Sequence, residues 1–358
     1  MHPQPQLQPE PKKSKKRHLS FTLGSWRLRT ERRGFFVGII LVAAIFIAAV
    51  VALMLGDYSM TPWQVVRAMF GDRSDPMAYF FVTDLRAPRV VLAILVGAAL
   101  GVSGAIFQSL TNNPLGSPDI TGFTTGAATG ALIQILLLDG GPVAVAIGAV
   151  VGGLATGLVV YFLSRQQGIS GTKFVLVGIG VSFILQGVNS LLVVRADLSA
   201  AQTAAQWLAG SFNAATWTEA NILMAIIIAV APLCLILAAP MSAMESGEEL
   251  ATGLGVHVPR RRRELIFLGV FLVAVAVAAA GPIAFVALAA PQLARRLSHS
   301  AGVGLLNAAF MGALLVVVSD IVAQRLFAPT QLPVGVITGS LGGLYLIWLL
   351  ASEWRKKS

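Results

Sequence analysis

Apolar runs of 15 to 24 residues recur ten times along the 358-residue chain, at 35–55, 88–108, 119–138, 143–163, 173–194, 219–239, 265–280, 283–297, 304–327 and 333–351. A helix rises 1.5 Å per residue, so about 20 residues cross the roughly 30 Å hydrocarbon core of a bilayer. In lipid every backbone polar group must be satisfied internally, which makes such runs helices. The pattern predicts an all-α, polytopic membrane protein with about ten transmembrane helices. Only 12% of residues are charged, against about a quarter in soluble domains, and a soluble enzyme is excluded.

The seventh and eighth runs form one apolar stretch, residues 265–293, interrupted by Gly281, Pro282 and Pro291. As a single helix it would extend about 43 Å. Pro282 removes a backbone donor and disfavours helical geometry at Gly281, so two helices are expected. Residues 1–34 are rich in Pro, Lys and Arg. The run at 35–55 is too long for the 7 to 15 residue apolar region of a signal peptide. The chain therefore reads as a disordered basic cytosolic tail at 1–34, a transmembrane domain at 35–352 and a cytosolic C-terminal tail at 353–358.

The net charge of +10 does not point to nucleic acid, because the basic residues gather in blocks beside the apolar runs. Of 26 Lys and Arg residues, only Arg67, Arg73, Arg86, Arg89, Arg195 and Arg325 fall in segments placed outside by ten crossings. That asymmetry follows the positive-inside rule and puts both termini in the cytoplasm.

Several chemistries find no residues. Gly171, Thr172 and Lys173 are followed by Phe174 and lack the first glycine of a phosphate loop, so ATP hydrolysis is expected elsewhere. Cys234 is the one cysteine, all four histidines (His2, His18, His257 and His299) fall in segments placed inside, and no metal site or cofactor is expected. Asp119 and Asp320 lie toward span ends, which disfavours a proton-coupled secondary transporter, whose relays are buried carboxylates or histidines. The polar residues within the runs are neutral: Gln108, Gln134, Gln186, Asn189, Asn221 and Gln324. Such groups usually bond neighbouring helices, but Gln186 and Asn189, three apart on one helical face, are read as pathway lining.

Four segments carry more. Arg86 and Arg89 straddle Pro88 at the outer mouth of the second span; they are either snorkelling anchors or a dock for an acidic partner. Residues 112–118, with Pro114 and Pro118, form an inner turn. Ser246, Gly247, Glu248 and Glu249 read as a capping box in which Ser246 and Glu249 satisfy each other's backbone donors. A short helix follows with Leu250 and Leu254 on one face, and Gly253 and Gly255 stop it; too short to be stable alone, it suits a groove on another protein. Residues 331–339, opening with Gln331, Leu332, Pro333, Val334 and Gly335, begin the last span.

Together these segments resemble the iron-siderophore and vitamin B12 permease family of ABC importers. The resemblance rests on residues 85–89, on 97–104 with Gln108, on 113–118, on 281–288 followed by Pro291, and on 332–336, and it covers about 35–352. The runs 101–122 and 331–345 are most similar to the ferric enterobactin permease branch. The resemblance implies a ferric siderophore as cargo, of the catecholate type, with heme or cobalamin as the alternative. It implies an inner-membrane location, a second permease subunit, two ATP-binding cassette subunits and an external substrate-binding protein. It further implies that Arg86 and Arg89 receive acidic residues of that binding protein, with Arg325 a third contact. Residues 246–255 would couple to the ATPase. Three positions depart from the family pattern: Gln292 stands where a histidine is usual, Gln331 where a glutamate is usual, and Gln324 where an arginine is usual, with Arg325 one place along.

Overall fold

A computed structural model describes residues 18–23, 26–56, 58–165, 171–299 and 304–357, without the side chains of 18–31, 348–350 and 352–357. Two strands, β1 (His18–Leu23) and β2 (Trp26–Glu31), pair antiparallel with His18 opposite Glu31. Within the expected tail, 18–23 and 26–31 are thus paired strands and 32–34 begin a helix; residues 1–17, 24 and 25 lie outside the described ones. Among the described residues fourteen helices follow: α1 (Arg32–Met54), α2 (Pro62–Met69), α3 (Pro76–Phe80), α4 (Ala87–Thr111), α5 (Phe123–Leu136), α6 (Pro142–Ser164) and α7 (Gly171–Arg195). The rest are α8 (Leu198–Leu208), α9 (Trp217–Glu245), α10 (Glu248–Gly253), α11 (Val258–Ala280), α12 (Val286–Ser298), α13 (Leu305–Arg325) and α14 (Val334–Lys357). A π-helical turn, Phe81–Arg86, joins α3 to α4.

All ten apolar runs are helices. Among the described residues seven helices are long and apolar enough to cross a membrane: α1, the continuous Pro76–Thr111 unit, α6, α7, α9, α11 and α13. The break expected after residue 280 is present, with α11 ending at Ala280 and α12 starting at Val286. Three boundaries move by six residues or more, the first being the end of α9, which continues through Pro240 to Glu245 rather than stopping at 239. Helix α11 begins at Val258 rather than 265, since Pro259 suits a first turn. Helix α14 runs to Lys357, so 353–357 continues the last helix instead of forming a separate tail.

Helices α5 and α12 have only 14 and 13 residues, which rise about 20 Å. Each is preceded by irregular chain, 112–122 and 281–285, and these segments are tied together. Gln108 Nε2 donates to the Leu288 carbonyl at 2.9 Å, and Gln292 Nε2 donates to that of Pro114. The Phe285 N–H donates to Asp119 Oδ2 at 3.3 Å, and the Thr124 hydroxyl donates to Asp119 Oδ1 at 2.6 Å. Irregular backbone is tolerated among membrane helices when protein surrounds it and pairs its polar groups. Gln292, where the family pattern has histidine, is one of the ties.

The helices close on small residues. Helices α4 and α13 run antiparallel, with Gly97 against Gly312 and Gly101 against Ala308, while α1 runs parallel to α13, Asn307 Nδ2 donating to the Gly34 carbonyl at 3.1 Å. We call the side where α1 begins the near face and the side where it ends the far face. Toward the near face Phe107 of α4, Phe123 of α5 and Phe174 of α7 pack ring on ring, with centroids 5.1 to 6.3 Å apart. Without a hydrophobic force between helices in lipid, such close contact supplies the dispersion that holds them.

Gly104 is the tightest crossing, because a Cβ there would sit 1.7 Å from the Ala287 carbonyl oxygen. Gly104→Val should therefore cost at least about 1–3 kcal/mol as backbones are forced apart, read as a lowered unfolding temperature in detergent. Gly339→Ala meets nothing within 4 Å and should unfold like the wild type. Equal unfolding of the two variants would show that the α4–α12 contact does not limit stability.

Candidate transport path and docking surfaces

The far face carries the arginines expected to dock a partner, and the fold uses two of them internally. Arg86 is only 9% exposed. Its Nη1 donates to the Leu53 and Met54 carbonyls at 2.8 and 3.3 Å, and its Nη2 to that of Tyr58 at 2.6 Å. These are carbonyls at and just beyond the end of α1, which a helix leaves without partners, and the guanidinium also lies over the Phe81 ring at 5.6 Å. Within the chain, Arg86 fastens the end of α1 to α4, because a buried guanidinium must find acceptors and the last residues of α1 offer two and the segment just beyond a third.

Arg89 makes a bidentate pair with Asp320, Nε and Nη2 each 2.9 Å from a carboxylate oxygen. Such forked pairs are the strongest of the charge-assisted bonds. Its Nη1 donates to Gln331 Oε1 at 3.1 Å, and Gln324 Nε2 donates to Asp320 Oδ2 at 2.8 Å. The two glutamines that depart from the family pattern thus complete a cluster joining α4, α13 and the entry to α14. Asp320 is 2% exposed and compensated by Arg89, as a charge buried among membrane helices must be. Arg325, one helical turn beyond, is half-buried, and its Nε has no partner among the described residues.

Gln186 and Asn189 lie on α7, which is largely unburied. Gln186 Nε2 donates to Ser182 Oγ at 3.2 Å, and Ser182 Oγ shares a 3.2 Å bond with Thr125 Oγ1 of α5. Asn189 Oδ1 is buried with no partner among the described residues. Residues 182, 186 and 189 recur at helical spacing and form one polar stripe along an apolar helix. The reading from sequence missed Ser182 and Thr125; their signal was only the i, i+4 spacing from Ser182 to Gln186. Gln186 and Asn189 do not line the cleft of about 570 Å³ that opens on the far face, bordered by Asp139, Ser199, Thr203, Trp207 and Glu219.

On the near face, α9 turns into α10 at Ser246 and Gly247. The capping box is not formed. Ser246 ends α9, its N–H bonded to the Ala243 carbonyl at 3.1 Å, and the N-cap of α10 is Gly247 at φ +121°. That backbone angle suits only glycine, and it lets the chain reverse at once, leaving no place for a serine cap. Glu248 and Glu249 then occupy the positive end of the helix. Gly255, at φ +82°, follows the helix.

Ala251 is buried beneath α10, while Leu250 and Leu254 point outward, Leu254 68% exposed. The basic block belongs to the first turns of α11, where positive charge opposes the helix dipole. Glu264 accepts from Arg260 at 2.9 Å and Arg261 at 2.8 Å, and Glu248 of α10 pairs with Arg262. Among the described residues no group of three or more His, Cys, Asp or Glu could hold a metal ion.

Residues 40–352 match the model of the FecCD transport family. The chain belongs to that family. It is 46% identical over 327 residues to the ferric enterobactin transport system permease protein of Escherichia coli, covering 91% of this chain and 99% of that one. The achromobactin transport system permease protein of Dickeya dadantii is 37% identical, over 88% and 90% of the two chains. The hemin transport system permease protein of Yersinia pestis is 30% identical, over 89% and 97%. Among solved structures, an inward-facing conformation of a metal-chelate type ABC transporter superposes with a TM-score of 0.79 at 27% identity, covering 88% of this chain and 99% of that chain. Members of the FecCD family are membrane-spanning permeases, and the fold described above is theirs.

Proposed function

We propose that the chain is the permease subunit of an ABC importer that carries a ferric siderophore, of the catecholate type, across the inner membrane. The observation that carries the cargo class is the end-to-end similarity to the enterobactin permease, higher than to the achromobactin or hemin permeases. The near face is cytoplasmic on this reading, since most basic residues lie there. Energy comes from two separate ATP-binding cassette subunits, because this chain has no phosphate loop. A second permease subunit pairs with it, and the substrate-binding protein docks on the far face.

Each candidate group then has a role. Leu250 and Leu254, with Ser246, Gly247, Glu248, Glu249 and Gly255 shaping the turn, engage a groove of the ATPase. Glu248 and Arg262 fix α10 to α11, so a push on α10 reaches a membrane-crossing helix directly. Arg325 supplies the available positive charge for acidic residues of the binding protein; Arg89 holds the mouth around it, and Arg86 acts only through the fold. Gln186 and Asn189 offer neutral hydrogen-bonding groups to a chelate that arrives with its iron already coordinated, where a fixed charge would hold it too tightly.

The test is uptake of ⁵⁵Fe-labelled ferric tricatecholate, ⁵⁵Fe-labelled hemin and ⁵⁷Co-labelled cobalamin by cells lacking their own inner-membrane permeases for these cargoes and supplied with this chain and its partner subunits. Uptake of a ferric tricatecholate, with none of hemin or cobalamin, is expected. Hemin or cobalamin uptake without ferric catecholate uptake would overturn the cargo assignment.

A further inference from the structure

The segment between α1 and α4 carries an amphipathic helix outside the crossing helices. Helix α2 opens with a full capping box, Thr61 Oγ1 accepting from the Gln64 N–H and Gln64 Oε1 accepting from the Thr61 N–H. One side, Val65 and Ala68, is buried with Ala52 and Leu53 of α1 and with Val82. A second side is apolar and uncovered: Trp63 is 67% exposed and Phe70, just past the end, 88%, with Val66 and Met69 between them. At 100° per residue these four span an arc of about 120°, a coherent face rather than scattered exposure.

Three features identify what covers it. The helix that carries the face packs on the end of α1, whose Phe36, Ile40, Ile47 and Val51 are exposed along one side of a helix long and apolar enough to cross a membrane. The height is that of other interfacial aromatics: the Trp217 indole N–H, at the start of α9, donates to the Thr83 carbonyl at 2.7 Å in the turn that enters α4. Trp and Tyr concentrate at that level of a bilayer. The edge of the face is charged, as an interfacial helix requires: Arg67 Nε donates to Asp72 Oδ2 at 2.6 Å, and the Ser74 N–H donates to Asp72 Oδ1 at 2.9 Å. The Ser74 N–H, then its hydroxyl, then Arg67 hold the Asp72 carboxyl below the ordinary carboxylate range, so this edge stays ionised.

We infer that α2 is an interfacial anchor whose Trp63, Val66, Met69 and Phe70 lie among the lipids of the leaflet where α1 ends. The helix fixes the height of the α1–α4 unit in the bilayer, and with it the height of the Arg89–Asp320 mouth. This inference needs only a membrane-spanning chain and is independent of the cargo.

The experiment places nitroxides singly by Trp63→Cys, Val66→Cys and Phe70→Cys in a Cys234→Ser background, with the full chain in phosphatidylcholine nanodiscs. Ile47→Cys serves as the lipid-facing reference and Ser74→Cys as the aqueous one. Collision with oxygen and with a water-soluble nickel chelate is measured at each site. The expected result is an oxygen-to-nickel ratio at 63, 66 and 70 severalfold above that at 74 and toward that at 47. Nickel access matching position 74 would place the face in water and overturn the inference. Exclusion of both reagents would show a protein surface covering the face, a second copy or another chain, and would overturn it equally.

Discussion

Arg89→Ala should be among the most destabilising single substitutions in the far half of the molecule, lowering the unfolding free energy by about 3–5 kcal/mol. The side chain it would strand, Asp320, is almost wholly buried, and after the loss of Arg89 the carboxylate would keep only the Gln324 amide as partner. Asp320→Ala should cost less, because the released guanidinium retains Gln331 and lies nearer the surface. The double variant should cost less than the sum of the two, since removing both partners leaves no buried charge. Unfolding in denaturant and detergent, run as a double-mutant cycle, measures this. Additive losses, or an Arg89→Ala variant as stable as wild type, would show that the pair is not the clamp of the mouth. Uptake per inserted molecule should fall with stability in Arg89→Ala. For Arg325→Ala, uptake should fall while stability does not, because Arg325 is the residue assigned to docking.

That contrast shows what a linear reading could and could not reach. The ten apolar runs became ten helices because hydrophobic length is a local property, and the division of the 265–297 region at Gly281 and Pro282 followed from local backbone rules. The roles of Arg86 and Arg89 were not legible. Both sit beside Pro88 where an exposed outer mouth is the natural expectation, yet the acceptors of Arg86 lie 28 to 33 residues upstream and the carboxylate of Arg89 lies 231 residues downstream. Only the packing of α1 and α13 on α4 brings them together. The capping box failed for a local reason. The spacing of Ser246 and Glu249 was correct, but Gly247 between them takes a backbone angle that restarts the helix one residue later. The stripe on α7 was half visible: Gln186 and Asn189 stand out among apolar neighbours, whereas Ser182 and Thr125 are small enough to pass as packing residues.

The coupling surface yields the prediction with the largest functional effect. Leu254 is the C-cap residue of α10, its N–H bonded to the Leu250 carbonyl at 3.0 Å and its side chain mostly exposed. Leu254→Asp therefore removes little packing within the chain, and the variant should insert and unfold like the wild type, within about 0.5 kcal/mol. If Leu254 fills a groove of the ATPase, the new carboxylate must be desolvated there without a partner, which costs several kcal/mol. A loss of that size lowers affinity by about a hundredfold or more, enough to empty the complex at ordinary concentrations. Co-purification of the ATPase with the tagged permease should fall to background, and ferric catecholate uptake should disappear while the amount of permease in the membrane stays constant. Leu254→Met, similar in volume and apolar, should retain both. ATPase recovered at the wild-type level with Leu254→Asp would remove α10 from the coupling interface. It would do so without touching the clamp at the mouth, since the two sites lie on opposite faces and share no residue.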